Sequence, residues 1–282
     1  APKFMGPLVG NASRTWPLLI GVPILFWIGL LWAFTGLAIP EAPLVYDKFV
    51  PHLYIYIVYF ASWGLILGAF WVSGKRFWNL IGQGQTRRGS FWKALAFTLW
   101  DIAAHRRFAR CGEAKPRRWA HFALMWGFVG AATASALIIV YMYGLGTPLP
   151  LPQDNISKLI GNGSAILLVV GGLMLLSGRL EDKERIGHSS AFDTFFLGLV
   201  LLVTFTGVLT EMGRYLMSPT LACYVYVVHL GAVLSLFVTT PYSKFAHLVY
   251  RTLAMVHERM TEPAQLPEGK DTKALGRSES DD

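Results

Sequence analysis

Six long apolar runs, separated by short polar or proline-rich connections, organise the chain: Trp16–Ile39, His52–Val72, Trp119–Tyr143, Leu159–Ser177, Phe192–Met212 and Thr220–Thr240. At about 1.5 Å per residue, a helix of some 20 residues crosses a hydrocarbon core about 30 Å thick, so each run can span a bilayer. Two further stretches are amphipathic rather than uniformly apolar. Phe91–Trp100 predicts a short helix with one aromatic face, of the kind that lies along a membrane surface. Tyr242–Met260 predicts a second, basic one, with Pro241 kinking the junction to the sixth span. The pattern predicts an all-α membrane protein, a six-span transmembrane helical bundle with amphipathic surface helices. Residues 1–15 form a segment ahead of the bundle, 16–260 the membrane domain, and 261–282 a polar tail expected to be disordered.

Composition agrees. The 282 residues are 54% hydrophobic with ten tryptophans, and the mean hydropathy is +0.44. Only 15% are charged, against about 25% in soluble domains. Two cysteines, Cys111 and Cys223, are too few for an iron–sulfur cluster, and the topology below puts them near opposite faces. The N-terminus does not read as a cleaved signal peptide, because the first apolar run is too long.

The net charge of +8 changes the picture only through its placement. The loop over 74–118 holds Lys75, Arg76, Arg87, Arg88, Lys93, Arg106, Arg107, Arg110, Lys115, Arg117 and Arg118, opposed only by Asp101 and Glu113. Arg179, Lys183 and Arg185 lie on the same side, as do Lys244, Arg251 and Arg259. The opposite connections, such as Thr147–Pro152, are rich in proline. The positive-inside rule makes the basic side cytoplasmic, with both termini on it, in the inner membrane of a prokaryote. This accounts for the charge without nucleic acid.

Histidines are the candidate chemistry, because neutral imidazole is an axial ligand for haem iron. His229 and His247 are eighteen residues apart. On one continuous helix that is about five turns and roughly 27 Å, with both rings facing one way. A helix of this kind would hold a nitrogen ligand at each side of a bilayer. His121 matches His247 in depth on the inner side, and His52 is the histidine that matches His229 on the outer side. His105, His188 and His257 fall in the cytoplasmic loops or on the surface helix; for His105 and Cys111 a structural or interface role is expected.

Glu211 and Arg214 end the fifth span on the outer side. Together they read either as a quinone site, the carboxylate taking protons from a quinol beside an outer haem, or as an i,i+3 ion pair at the helix end.

These residues resemble the nitrate reductase gamma family of membrane cytochromes b. The matching features are the His229/His247 spacing, His121 and the stretch Pro241–His247. Phe49–His52, His105–Gly112, Arg117–His121 and Thr206–Arg214 resemble more specifically the membrane-spanning component of the quinone-interacting membrane-bound oxidoreductase (Qmo) complex of sulfate reducers. Two features depart from these patterns. Ala131 stands where the first pattern has a second histidine, and the cysteines of an N-terminal iron–sulfur domain are missing, so that module is expected on another polypeptide or on a longer form of this one. The resemblance implies a component of a quinone-linked oxidoreductase with two haems b, His52 and His229 at the outer haem and His121 and His247 at the inner one. It implies menaquinone as substrate, and cytoplasmic iron–sulfur or flavoprotein partners of the heterodisulfide-reductase type docking on the basic loop, as in sulfate respiration. Two other classes stay open: a non-redox membrane anchor for a soluble enzyme complex, and a small-solute transporter, against which stands the lack of an internal repeat.

Overall fold

The computed structural model describes residues 5–41, 44–87, 89–104, 115–181 and 191–261. His105, Cys111, His188, most of the basic charge in 105–114 and 182–190, and the tail beyond 261 lie outside the described residues. Among the described residues the α-helices are, in chain order, α1 (Gly6–Gly10), α2 (Ala12–Thr35), α3 (Tyr46–Phe49), α4 (His52–Ile81), α5 (Phe91–Ala103), α6 (Lys115–Ile139), α7 (Ile156–Glu181), α8 (Ala191–Leu216), α9 (Pro219–Thr239) and α10 (Lys244–Met260). Six of them, α2, α4, α6, α7, α8 and α9, are long and apolar enough to cross a membrane. Among the described residues there is no strand, only an isolated bridge between Arg87 and Thr261.

The helix ends follow from local chemistry. Ser218 caps α9, accepting from the Leu221 amide, and Pro219 takes the first turn, where its missing N–H costs nothing. The Asn155 carboxamide oxygen accepts from the Ser157 amide and hydroxyl at the head of α7. Gly36, at φ 63°, ends α2 in the left-handed conformation. α6 passes into a turn of π-helix over Val140–Gly144. α4 runs nine residues beyond the expected Val72, to Ile81. Hydropathy marks only the part of a helix that fits the hydrocarbon, whereas hydrogen bonding carries the helix past it into polar sequence.

α8 and α9 form the centre, with α2 against both, α7 against α8, and α6 packed along α7. Within the span region α4 packs on α9 and, through Tyr54 and Tyr59, on Phe34 and Trp27 of α2, and it buries little besides Ile66 and Gly74. Its Leu65 is 77% exposed and its Trp71 75%. The buried hydroxyls of the central pair are satisfied within their own helices. Thr204 donates to Val200 O at 2.8 Å, Thr210 to Thr206 O at 2.8 Å, Ser235 to Gly231 O at 2.9 Å and Thr239 to Ser235 O at 2.7 Å.

One expectation fails here. α9 stops at Thr239, a 3-10 turn covers Thr240–Tyr242, and α10 starts afresh at Lys244. Pro241 has no N–H to continue the ladder, and Ser243, with extended backbone (ψ −178°), caps the new helix by accepting from Phe245 N at 3.1 Å. His229 and His247 therefore sit on two helices with a break between them. The five-turn, same-face relation does not hold.

The bundle has two chemically distinct ends. The proline-rich end carries the connections before α4, between α6 and α7, and between α8 and α9. The basic end carries α5, α10 and the heads of α6 and α8.

Candidate functional site

At the proline-rich end, polar side chains from α3, α7 and α8 converge. Glu211, near the end of α8, accepts from Lys158 Nζ at 2.6 Å and from Gln153 Nε2 at 2.6 Å. Gln153 also reaches the Tyr215 hydroxyl at 3.1 Å. The i,i+3 pairing of Glu211 with Arg214 is replaced by this cross-helix pair, because Lys158 at the head of α7 comes within contact distance. Arg214 lies instead over the Tyr46 ring, 5.5 Å from its centroid, with Nε and Nη1 buried and without hydrogen-bond partners. Tyr46 is itself fixed: its hydroxyl donates to Thr210 O at 2.7 Å and its ring packs tilted against Tyr226, with centroids 4.6 Å apart. Burial pushes the Tyr46 phenol up to about 12, partly offset by the Arg214 cation, so it remains a donor at physiological pH.

The Lys158–Glu211 pair is largely buried, with side chains 15% and 29% exposed. Lys158→Ala and Glu211→Leu are each expected to cost about 1–3 kcal/mol, because each leaves the other charge unpaired near the apolar layer. The double variant should cost less than the sum of the two. Thermal unfolding of the four proteins in detergent measures the coupling, and additive losses would show that the pair contributes nothing.

The candidate ligands are placed as follows. His52 opens α4 at the proline-rich end and stacks on Tyr56, with centroids 6.1 Å apart and planes 19° apart. Tyr56 in turn meets Tyr143 edge-on and comes within 4.0 Å of Met142 Sδ, which ties α4 to the end of the third span. His229, on α9, faces α8. Its Nδ1 lies 3.1 Å from Thr206 Oγ1. The Thr206 hydroxyl also lies 2.7 Å from Leu202 O, so the threonine links the imidazole to the α8 backbone. The imidazole rests on Gly207, where an added Cβ would stand 3.1 Å from Cε1. His121, near the head of α6, and His247, in the first turn of α10, are both exposed at the basic end. Among the described residues the buried histidine at that end is His257, 6% exposed, against the Trp78 ring at 5.6 Å. Cys223 is a buried free thiol on α9.

Sequence reasoning missed Lys158, Gln153, Tyr46 and Thr206. Lys158 carried a signal, as a lone cation at the head of an apolar run on the side poor in Lys and Arg. Thr206 carried none, because its role depends on α8 and α9 meeting face to face.

The expected placement of the His229 and His247 ligands on one helix is corrected. Its geometric argument needed one unbroken helix through His229 and His247, and the chain breaks at Pro241. Among the described residues no group of three or more His, Cys, Asp or Glu side chains converges, which bears on clustered metal sites and not on a haem iron held by two axial ligands.

Comparison with known proteins overturns the family reading as well. The family model described as citrate utilization protein B matches residues 18–268. Citrate utilization protein B of Escherichia coli is 27% identical over 268 residues, covering 90% of this chain and 69% of its own length. No solved structure matches. The resemblance to the nitrate reductase gamma family and to the sulfate reducers' Qmo membrane component rested on short motifs whose residue types recur at membrane interfaces: histidines and tryptophans at span ends, and arginines in the inner loops. The match over 18–268 runs through all six spans and outweighs them. With it go the cytochrome b, quinone-oxidoreductase and sulfate-respiration readings. The chain belongs to the citrate utilization protein B family.

Proposed function

We propose that this chain is the membrane-embedded part of a citrate-utilisation system, spanning a prokaryotic inner membrane six times with its basic end in the cytoplasm, where that end seats a soluble partner enzyme. The family match over 18–268 carries this reading. The orientation is supported by Lys75, Arg76, Lys93, Arg117, Arg118, Arg179, Lys244, Arg251 and Arg259, all at one end of the bundle. Docking is supported by the shape of that end. α5 and α10 pack together and against the end of α4 as a platform, tied by the Arg259–Asp101 ion pair, and Lys244 lies 3.4 Å from Asp193. A soluble partner with an acidic face suits such a surface. The heterodisulfide-reductase-type partner class depended on the overturned resemblance and has no other support.

A citrate conduit is a weaker reading. A polyanion crossing the bundle needs cations along its path, and the central parts of all six spans lack Lys and Arg; Lys158, Arg179 and Arg214 lie at span ends.

Deletion of the gene is expected to abolish growth on citrate as sole carbon source, with growth on glucose unchanged and restored on citrate by the intact chain. Replacing Arg76, Lys93, Arg117 and Arg118 by Glu should leave the protein in the membrane and fail to restore growth. Wild-type growth of the deletion strain on citrate would overturn the reading. Full rescue by the charge-reversed protein would remove the docking part alone.

A further inference from the structure

We propose that His257 is a proton-operated latch: neutral, it locks the end of α10 onto α4 and α5 at the basic end of the bundle; protonated, it releases them.

The argument rests on what surrounds the imidazole. His257 sits in the last turn of α10, 6% exposed, in a layer with Ala94 of α5, Trp78 of α4, and Val256 and Met260 of its own helix. Its Nε2 is buried without a hydrogen-bond partner. Its ring meets the Trp78 indole at 5.6 Å with planes at 83°. The same indole already serves a cation, because the Arg87 guanidinium stands 4.4 Å from its centroid and Nη2 donates to Trp78 O at 2.9 Å. Arg87 has little room to withdraw, since its guanidinium packs directly on Gly82.

Protonation would put a second positive charge beside Arg87 and leave a covered N–H with no acceptor, which costs free energy. The acid that faces this layer from α5 is Asp101, and Arg259 holds it. From α4, Trp78 is the facing group, while Lys75 and Arg76 are exposed. On α10 itself, Glu258 and Arg259 point outward from the buried row Met255, Val256, His257 and Met260. Among the described residues the layer thus places the Arg87 cation beside the imidazole, and its nearest acid from α5, Asp101, is engaged by Arg259. Burial first, and then the Arg87 charge, hold the His257 pKa below its ordinary value.

The sign follows by linkage. Above about pH 6.5 the imidazole is neutral both packed and released, and the latch is at full strength. Below that, the released form takes up a proton that the packed form refuses, so release grows as pH falls toward the depressed pKa. At pH 5.5, one unit under the ordinary value, the gain in release is limited to about tenfold. Release of this turn would also free the Arg259–Asp101 pair and the Arg87–Thr261 bridge. The inference concerns the fold alone and stands whether or not the basic end seats a partner.

Hydrogen exchange of the full chain in lipid nanodiscs tests it, at pH 7.5 and 5.5, corrected for the intrinsic exchange rate at each pH. Amides of the last two turns of α10 are expected to open several-fold more at pH 5.5, up to the tenfold limit, while α8 and α9 do not change. His257→Phe, neutral at every pH, should abolish the difference. Arg87→Gln should shrink it, because removing the neighbouring cation brings the packed and released pKa values together. Protection of α10 that is independent of pH in the wild type, or a response that survives in His257→Phe, would overturn the proposal.

Discussion

Gly231→Val is expected to prevent the bundle from closing. A Cβ at 231 would overlap Ile24 Cγ1 and stand 2.7 Å from Ile24 Cα and 2.9 Å from its N. These are backbone atoms of α2, so no rotamer change relieves the overlap, and α2 must move away from α9. That interface holds the largest buried cluster, including the fully buried Trp27 and Leu31 of α2 with Val227 and Leu230 of α9. Ordinary overpacking costs about 1–3 kcal/mol; separating two helices along this face should exceed that. The expected result is loss of a monodisperse species in detergent. Gly29→Val makes the same change at a position with nothing within 4 Å, and should leave elution and melting nearly unaltered. Equal behaviour of the two variants would refute the close approach.

Gly171→Val comes second, by the same logic at the α6–α7 pair. Here a Cβ would lie 2.8 Å from Ala120 O, 3.0 Å from Leu124 N and 3.1 Å from Ala123 Cβ. Three glycines lie in this contact, each under a side chain or backbone of the facing helix: Gly127 against Leu168, Gly130 against Ser164, and Gly171 against Ala120. Lipid offers no hydrophobic drive to pair helices, so close backbone approach supplies the attraction. The variant should lose about 3 kcal/mol or more of thermal stability, with Gly163→Val, which meets nothing within 4 Å, as its control. An unchanged melting temperature in Gly171→Val would show that α6 is not held through this stripe.

The two surface helices are legible from amphipathicity. The run Phe91–Trp100 appears within α5, with Ala94 and Thr98 inward and Trp92, Phe97 and Trp100 outward. The site is much less legible. A helical wheel places residues around one axis only, so it puts His229 and His247 on one face without seeing that a proline and a serine cap start a second axis. Glu211 stands out by its charge, but its partner is Lys158, distant in sequence, rather than the nearby Arg214. His257 reads as a surface residue and is buried.

The number of long apolar helices and the identity of the basic end can be read from the order of residues. Span length and polarity act locally against the thickness of the hydrocarbon, and charge is counted loop by loop. Which helices touch is settled by packing, as are the close approaches at Gly231 and Gly171. Packing also sets Glu211, Arg214 and His229 against Lys158, Tyr46 and Thr206. A uniformly apolar helix does not show in its residue pattern which side meets protein and which meets lipid. For spans like these, the approach of one backbone to another is what distinguishes the two.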